Sequence, residues 1–275
     1  MKKVFFGCDW ASSWDWFQKY IHPYYTKFHS SKFELVSDPH EADLCVYGNR
    51  LSATADKSKS LIYQFEPKFF RNEGREPEDN IRYSFRISDD PALLHHVPVH
   101  PYQITLTNSF GYVDIQQIPR NKNIISILSN RCCFEGHKKR FDFMHAMEKF
   151  KIPLELWGTI FPHTHVHNKI TKLAEYRYAF CLENSCEPGY FTEKFWDAIL
   201  AETLPFYWGC PNLTNLGLPV ECYIPVYRDD PLRSAKIVYQ ALHNNEWEKR
   251  LPYIRLAKKI LIEKMSLFAI VEKFL

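Results

Sequence analysis

The chain has 275 residues, 45% of them hydrophobic, and its 35 basic and 32 acidic side chains leave a net charge of +3. That length suits one large domain or two ordinary ones with full cores, and the near balance of charge lacks the basic footprint of a nucleic-acid binder. No apolar stretch approaches bilayer-spanning length, and the start, MKKVFFGCDW, lacks the longer hydrophobic region of a signal peptide.

In chain order, Val4 to Cys8, Phe33 to Val36, Leu44 to Tyr47, Leu61 to Phe65 and Ile81 to Ile87 read as short strands. An aromatic segment of helical character, Trp14 to Phe28, lies between the first two. Val97 to Arg120, rich in Pro, Asn and Gln, reads as a connector. A second series follows: strand Asn123 to Ser129, helix Lys138 to Phe150, strand Leu154 to Trp157, a strand from Tyr176, and strand Cys222 to Val226. From Trp247 to Leu275, Leu251, Ile254, Ala257, Leu261, Met265 and Phe268 recur at helical spacing with Lys258, Lys259 and Lys264 between them. Such a stripe packs on the protein's own core; the alternative is a basic helix lying on an anionic membrane. The alternation predicts an α/β protein of two doubly wound, Rossmann-like domains, 1–120 and 121–275, facing across a cleft. Its ligand would then bind beyond the carboxyl ends of the strands.

Tyr176 to Pro211 carries the most chemistry. Tyr176, Tyr178, Phe180 and Leu182 alternate as in a strand that ends at Glu183, and Asn184, Ser185, Pro188 and Gly189 supply turn residues. Thr192, followed by Glu193, Lys194 and apolar Phe195, Ala198 and Ile199, reads as an N-capped helix. A helix N-terminus attracts anions, so Lys194 in that first turn opposes the dipole unless something negative sits nearby. A bound phosphate would serve; so would a plain surface pairing with Glu193 or Asp197.

The block closely resembles the donor-binding signature of the α-1,3/1,4-fucosyltransferases, glycosyltransferase family 10. Its pieces stand here as Tyr176-Arg177-Tyr178, Glu183-Asn184-Ser185, Tyr190-Phe191-Thr192-Glu193-Lys194 and Leu204-Pro205-Phe206-Tyr207-Trp208-Gly209. The resemblance implies the GT-B architecture with the acceptor site in the first domain and the GDP-sugar site in the second. It also implies a compact bacterial or viral type without the anchor and stem of eukaryotic members. The implied reaction is inverting transfer of L-fucose from GDP-fucose to a hydroxyl of a glycan acceptor. Lys194 would hold phosphate, Glu193 would face the fucose ring and its developing positive charge, and Asn184, Tyr190 and Thr192 would complete the donor site. Family members also have a strand ending in Ser-Asn that leads to a helix-heading arginine on the diphosphate. Here that strand is NIISILSN, ending at Ser129 and Asn130, and the arginine is Arg140, with Arg131 and Lys139 as substitutes. Without the resemblance, Lys138, Lys139 and Arg140 read as a solvated basic cluster in preference to a phosphate site. Glu66, closing the strand SLIYQFE, matches the family's proposed general base, although the Gly and Asn that flank that base are replaced by Phe65 and Pro67.

Three histidines, His163, His165 and His167, alternate in a loop, but no carboxylate or cysteine stands close by to complete a metal site. There is no Asp-x-Asp triplet, so side-chain cations are expected to hold the diphosphate and no cofactor is required, a divalent metal at most stimulating. The eight cysteines show no C-x-x-C pair and read as reduced thiols. The expected compartment is cytoplasmic, with peripheral association at the inner face of a membrane as the alternative. Expected partners are a nucleotide-sugar donor and a glycan acceptor, with no nucleic acid. Trp10, Trp14, Trp16, Tyr24 and Tyr25 could stack on acceptor sugars or simply fill the core. The rival functions are a same-fold transferase using another nucleotide sugar and a non-catalytic nucleotide-sugar or carbohydrate-binding module.

Overall fold

The computed structural model describes residues 1–8, 32–48, 55–63, 83–85, 115–129, 135–159, 166, 169–188, 190–265, 269 and 271–275. The chain divides into two compact units, Met1–Gly111 with Ile262–Leu275, and Tyr112–Leu261. The division therefore falls earlier than position 120, and the tail beyond Leu261 belongs to the first unit. There Ala269 and Val271 are buried and Glu272 pairs with Lys32 at 2.6 Å.

In the first unit β1 (Lys2–Cys8), β2 (Phe33–Leu35), β3 (Leu44–Gly48), β4 (Ser60–Tyr63) and β5 (Tyr83–Phe85) form one parallel sheet in the order β2-β1-β3-β4-β5. Both faces of β1 and β3 are covered. Val4, Phe6, Leu44 and Val46 are buried, and so are Phe5, Cys45 and Tyr47, which cluster with Val36 and Ala42. Burial on two faces is why these strands read as continuous apolar runs.

The second unit contains β6 (Lys122–Ile127), α1 (Glu135–Lys149), β7 (Leu154–Trp157), α2 (Lys169–Ala174), β8 (Tyr176–Leu182), α3 (Glu193–Leu200), β9 (Leu204–Trp208), β10 (Ile224–Pro225), α4 (Pro231–His243) and α5 (Glu246–Ile260). Its strands are again parallel, in the order β10-β9-β8-β6-β7. Counted within the unit, this is the same 2-1-3-4-5 order as the first sheet, the flavodoxin-like form of the doubly wound fold. In such a sheet the chain leaves its first strand in one direction and returns past it to the third. The crevice outside the carboxyl ends of those two strands, here β6 and β8, is the switch point where ligands bind.

Aromatic packing centres this sheet. Tyr178 stacks on Phe206 at 5.3 Å, and Phe180 meets Phe143 of α1 edge-on at 5.5 Å. At the opposite end of the strands, Arg120 donates to the carbonyls of Tyr176 and Ala201 and to Thr203 Oγ1, and its guanidinium lies 5.2 Å from the Trp247 ring. Glu202 ties α5 down through Arg255 at 2.9 Å and Lys258 at 3.1 Å. Ile254, Ala257 and Leu261 are fully buried, so the apolar stripe of this helix packs on protein. Among the described residues no helix is long and apolar enough to cross a membrane.

Helices α2 and α4 were not anticipated from the sequence, and two strands of this unit depart from the expectation. The last strand shrinks from Cys222–Val226 to two residues, and Leu204–Trp208, unanticipated as a strand, is β9. Pro205 hides β9 because proline cannot donate to a ladder. The register removes the difficulty: Tyr207 O accepts from Val226 N at 2.9 Å, so the odd-numbered residues of β9 turn their backbone toward β10. The ladder with β10 begins only at Phe206 opposite Ile224, and Pro205 lies before it.

Candidate active site

Glu183 ends β8, and the following loop closes back on it. Its Oε1 accepts the Thr192 backbone N–H and its Oε2 the Thr192 hydroxyl, each at 2.7 Å, while its own N–H donates to Trp208 O at 2.9 Å. One fully buried carboxylate thus clamps the first residue before α3 to the end of the sheet. Burial, with repulsion from Glu193, lifts the Glu183 carboxyl above its ordinary range against the pull of Lys194 and the Thr192 bonds. Thr192 is the N-cap of α3, as expected. Having donated its hydroxyl hydrogen to Glu183, its oxygen accepts from Lys194 Nζ at 3.1 Å.

Lys194 therefore has its negative neighbours. Its ammonium lies 3.0 Å from Glu193 Oε1 and 3.5 Å from Glu183 Oε2. Burial works against the charged ammonium, but Glu193 and Glu183 more than offset it, and the net effect raises its pKa. The lysine stays a cation at any ordinary pH. Of the two surface pairings open from sequence, the one with Glu193 forms; Asp197 pairs instead with Lys169, at 3.7 Å.

Arg140 comes from α1, whose buried positions His137, Arg140, Phe143, Met144 and Met147 follow helical spacing. It is only 4% exposed, and its charge lies near enough to Lys194 to oppose that ammonium's protonation. Gly136 makes this approach possible: a Cβ there would stand 2.0 Å from the Asn184 carbonyl oxygen, so the start of α1 rests on the loop after β8. Gly158, at φ +122°, has the same role where β7 ends, since a Cβ would meet Leu128 O at 1.9 Å.

Arg140, Glu193 and Lys194 line a cavity of about 180 Å³ at the carboxyl ends of β6 and β8. Ser129, Arg140, Glu193 and Lys194, expected from sequence, share its wall with Asp197 and Lys169, which were not. Burial pushes the Asp197 carboxyl up to about 7 despite Lys169. Thr192, Tyr190 and Asn184 do not reach the cavity wall. Thr192 is held by Glu183, Tyr190 is buried near Tyr207, and the Asn184 side-chain oxygen is buried without a hydrogen bond among the described residues. Glu66, Asn130, Arg131, the three histidines, and Trp10, Trp14, Trp16, Tyr24 and Tyr25 lie outside the described residues. Among those described, no cluster of His, Cys, Asp and Glu suits a metal ion, and Cys45, Cys181, Cys186, Cys210 and Cys222 are free thiols. Sequence reasoning passed over Glu183 as a strand terminus and over Asp197 as a surface partner. The four-residue step from Glu193 to Asp197 was the available signal, since it puts both carboxyls on one helix face.

Cations and carboxylates thus converge at the switch point of the second sheet. Residues 118–255 match the family model "Glycosyltransferase family 10 (fucosyltransferase) C-term", which spans the whole cavity. An alpha-(1,3)-fucosyltransferase of Helicobacter pylori is 43% identical over 131 residues, 48% of this chain and 27% of the relative. Alpha-(1,3)-fucosyltransferase B of Drosophila melanogaster is 39% identical over 43 residues, 16% of this chain and 10% of the relative. The matched segments thus span about a quarter or less of these relatives' own lengths. A crystal structure of an alpha1,3-fucosyltransferase superposes with a TM-score of 0.58 at 18% identity, covering 91% of this chain and 81% of the other. The same enzyme class with GDP-fucose gives 0.55 at 18% identity and the same coverage. The fold is therefore the GT-B architecture of two Rossmann-like domains, and the chain belongs to glycosyltransferase family 10.

Proposed function

We propose that this chain transfers L-fucose from GDP-fucose to a hydroxyl of a glycan acceptor, with inversion at the anomeric carbon. The observation that carries this reading is the convergence of Arg140, Glu193 and Lys194 on one cavity at the β6/β8 switch point. Breaking the bond to the diphosphate leaves negative charge on the leaving group and positive charge on the sugar ring. Arg140 and Lys194, both preformed cations, take the first; Glu193, one hydrogen bond from Lys194, is placed to offset the second. The side-chain cations do the work that a metal does in other transferases, so the diphosphate needs no ion of its own. Glu66 is assigned the acceptor proton on its match to the family's base.

The test is to incubate purified protein with labelled GDP-fucose and an array of glycan acceptors, with and without EDTA. Movement of label to an acceptor, unchanged by EDTA, supports the reading. A panel of UDP- and GDP-sugars run in parallel would identify another donor, and donor binding with neither hydrolysis nor transfer would reassign the chain as a binding module.

A further inference from the structure

Asp197 is only 1% exposed, and neither carboxyl oxygen has a hydrogen-bond partner among the described residues. Lys169 Nζ, at 3.7 Å from Oδ2, is past good hydrogen-bond reach. A buried carboxyl is costly unless it is bonded, so an unsatisfied one in a native chain needs a cause. Packing does not supply one, because an apolar side chain would fill this position on α3 without that cost. The carboxyl instead borders the cavity already described, beside Lys169 and one helical turn beyond Glu193 on the same face of α3. Two acceptors without a hydrogen bond, one of them facing the Lys169 ammonium only at 3.7 Å, in a wall otherwise prepared for phosphate, call for a ligand that brings adjacent donors. Vicinal hydroxyls of a sugar ring do this: one carboxylate can accept from both. In dinucleotide-binding folds an acidic residue reads a ribose hydroxyl in this way.

We propose that Asp197 is a donor-reading residue, its carboxylate accepting hydrogen bonds from vicinal hydroxyls of the bound nucleotide sugar. The assignment rests on the nucleotide-sugar reading of the cavity and names a contact that reading does not contain. The hydroxyls belong either to the ribose or to the transferred sugar. In the free chain the carboxyl is held at a cost, with burial raising its proton affinity; in the complex that cost is relieved by the ligand.

The experiment compares wild-type protein with Asp197→Asn and Asp197→Ala, measuring equilibrium binding of GDP, 2′,3′-dideoxy-GDP and GDP-fucose, and the Tm of each free protein. Both variants should fold with a Tm no lower than wild type, which a merely structural carboxyl would not allow. If ribose is the partner, both lose at least about tenfold in GDP affinity, and the loss disappears with the dideoxy nucleotide. If the transferred sugar is the partner, GDP binds all three proteins equally and only GDP-fucose binding falls by that factor. Equal affinities throughout, or the same loss for GDP and its dideoxy form with nothing further for GDP-fucose, overturn the assignment. Wild-type protein that binds neither GDP nor GDP-fucose overturns the reading of the cavity and this contact with it.

Discussion

Lys194 illustrates how a charge that is wrong for a helix becomes right for a site. Against the dipole of α3 alone it would cost a few tenths of a kcal/mol up to about 1 kcal/mol, and its two carboxylate neighbours outweigh that. Arg140 comes from another element: it is a guanidinium 4% exposed, and its charge opposes that of Lys194. Replacing either by Ala should leave a folded protein whose transfer rate falls by at least about a hundredfold, measured as kcat/KM for donor; near-normal turnover in either variant would remove it from the mechanism. Asp197 gives a pH signature of unusual sign. Its folded pKa of about 7 lies above its ordinary 3.8, so the folded chain holds a proton that the unfolded chain has lost. Stability contributed at this position therefore falls as pH rises from about 4 and is fully lost only above about 7. The Tm advantage of Asp197→Asn over wild type should be near zero at about pH 4 and largest at about pH 8. Lys169, about a third exposed, loses little when its partner becomes neutral. An advantage that shrinks toward alkaline pH would mean that Asp197 is stabilised as an anion.

Secondary elements meet at backbone contacts that composition does not advertise. Gly136 sits in the first turn of α1, where alanine is ordinarily worth up to about 1 kcal/mol more than glycine. Its Cβ would have to occupy space 2.0 Å from a backbone oxygen and 2.9 Å from the carbonyl carbon of Asn184. Neither atom can rotate away, so overpacking of about 1–3 kcal/mol should win. Gly136→Ala is expected to lower Tm and, by pushing α1 off the loop, to weaken GDP binding through a displaced Arg140. A variant as stable and as tight-binding as wild type would show that the contact is slack. Nothing in the sequence around Gly136 announces this, because the partner lies 48 positions away on another strand's loop. Strands buried on both faces were legible for the opposite reason. Val4 to Cys8 and Leu44 to Tyr47 are dense apolar runs whose pattern needs no knowledge of what covers them. β9 was not, since the tolerance of Pro205 depends on how far a neighbouring strand reaches.

Across the molecule, the part of the site that could be read early is the part built from contiguous chain. Glu193 and Lys194 stand next to each other, and Ser129 and Arg140 flank one strand-to-helix passage. Glu183 and Asp197 were not legible because their surroundings are set only by what folding brings to them or withholds from them. This distribution has a consequence for how the chain is divided. Every described residue of the cavity falls between Ser126 and Asp197, inside the unit Tyr112–Leu261. That unit has its own five-stranded sheet, an aromatic core, and the Arg120 and Glu202 networks sealing the far ends of its strands. At about 150 residues it is long enough to bury roughly two-thirds of its unfolded surface, as independent domains do. A fragment of residues 112–261 is therefore expected to fold cooperatively and to bind GDP within about threefold of the full chain, yet to transfer nothing, because Glu66 is left behind. Calorimetry would report the binding and the labelled-donor assay the absence of transfer. A fragment that folds but has lost GDP affinity by more than about tenfold would show that the first unit contributes to the donor site. Transfer by the fragment would move the base out of the first unit altogether.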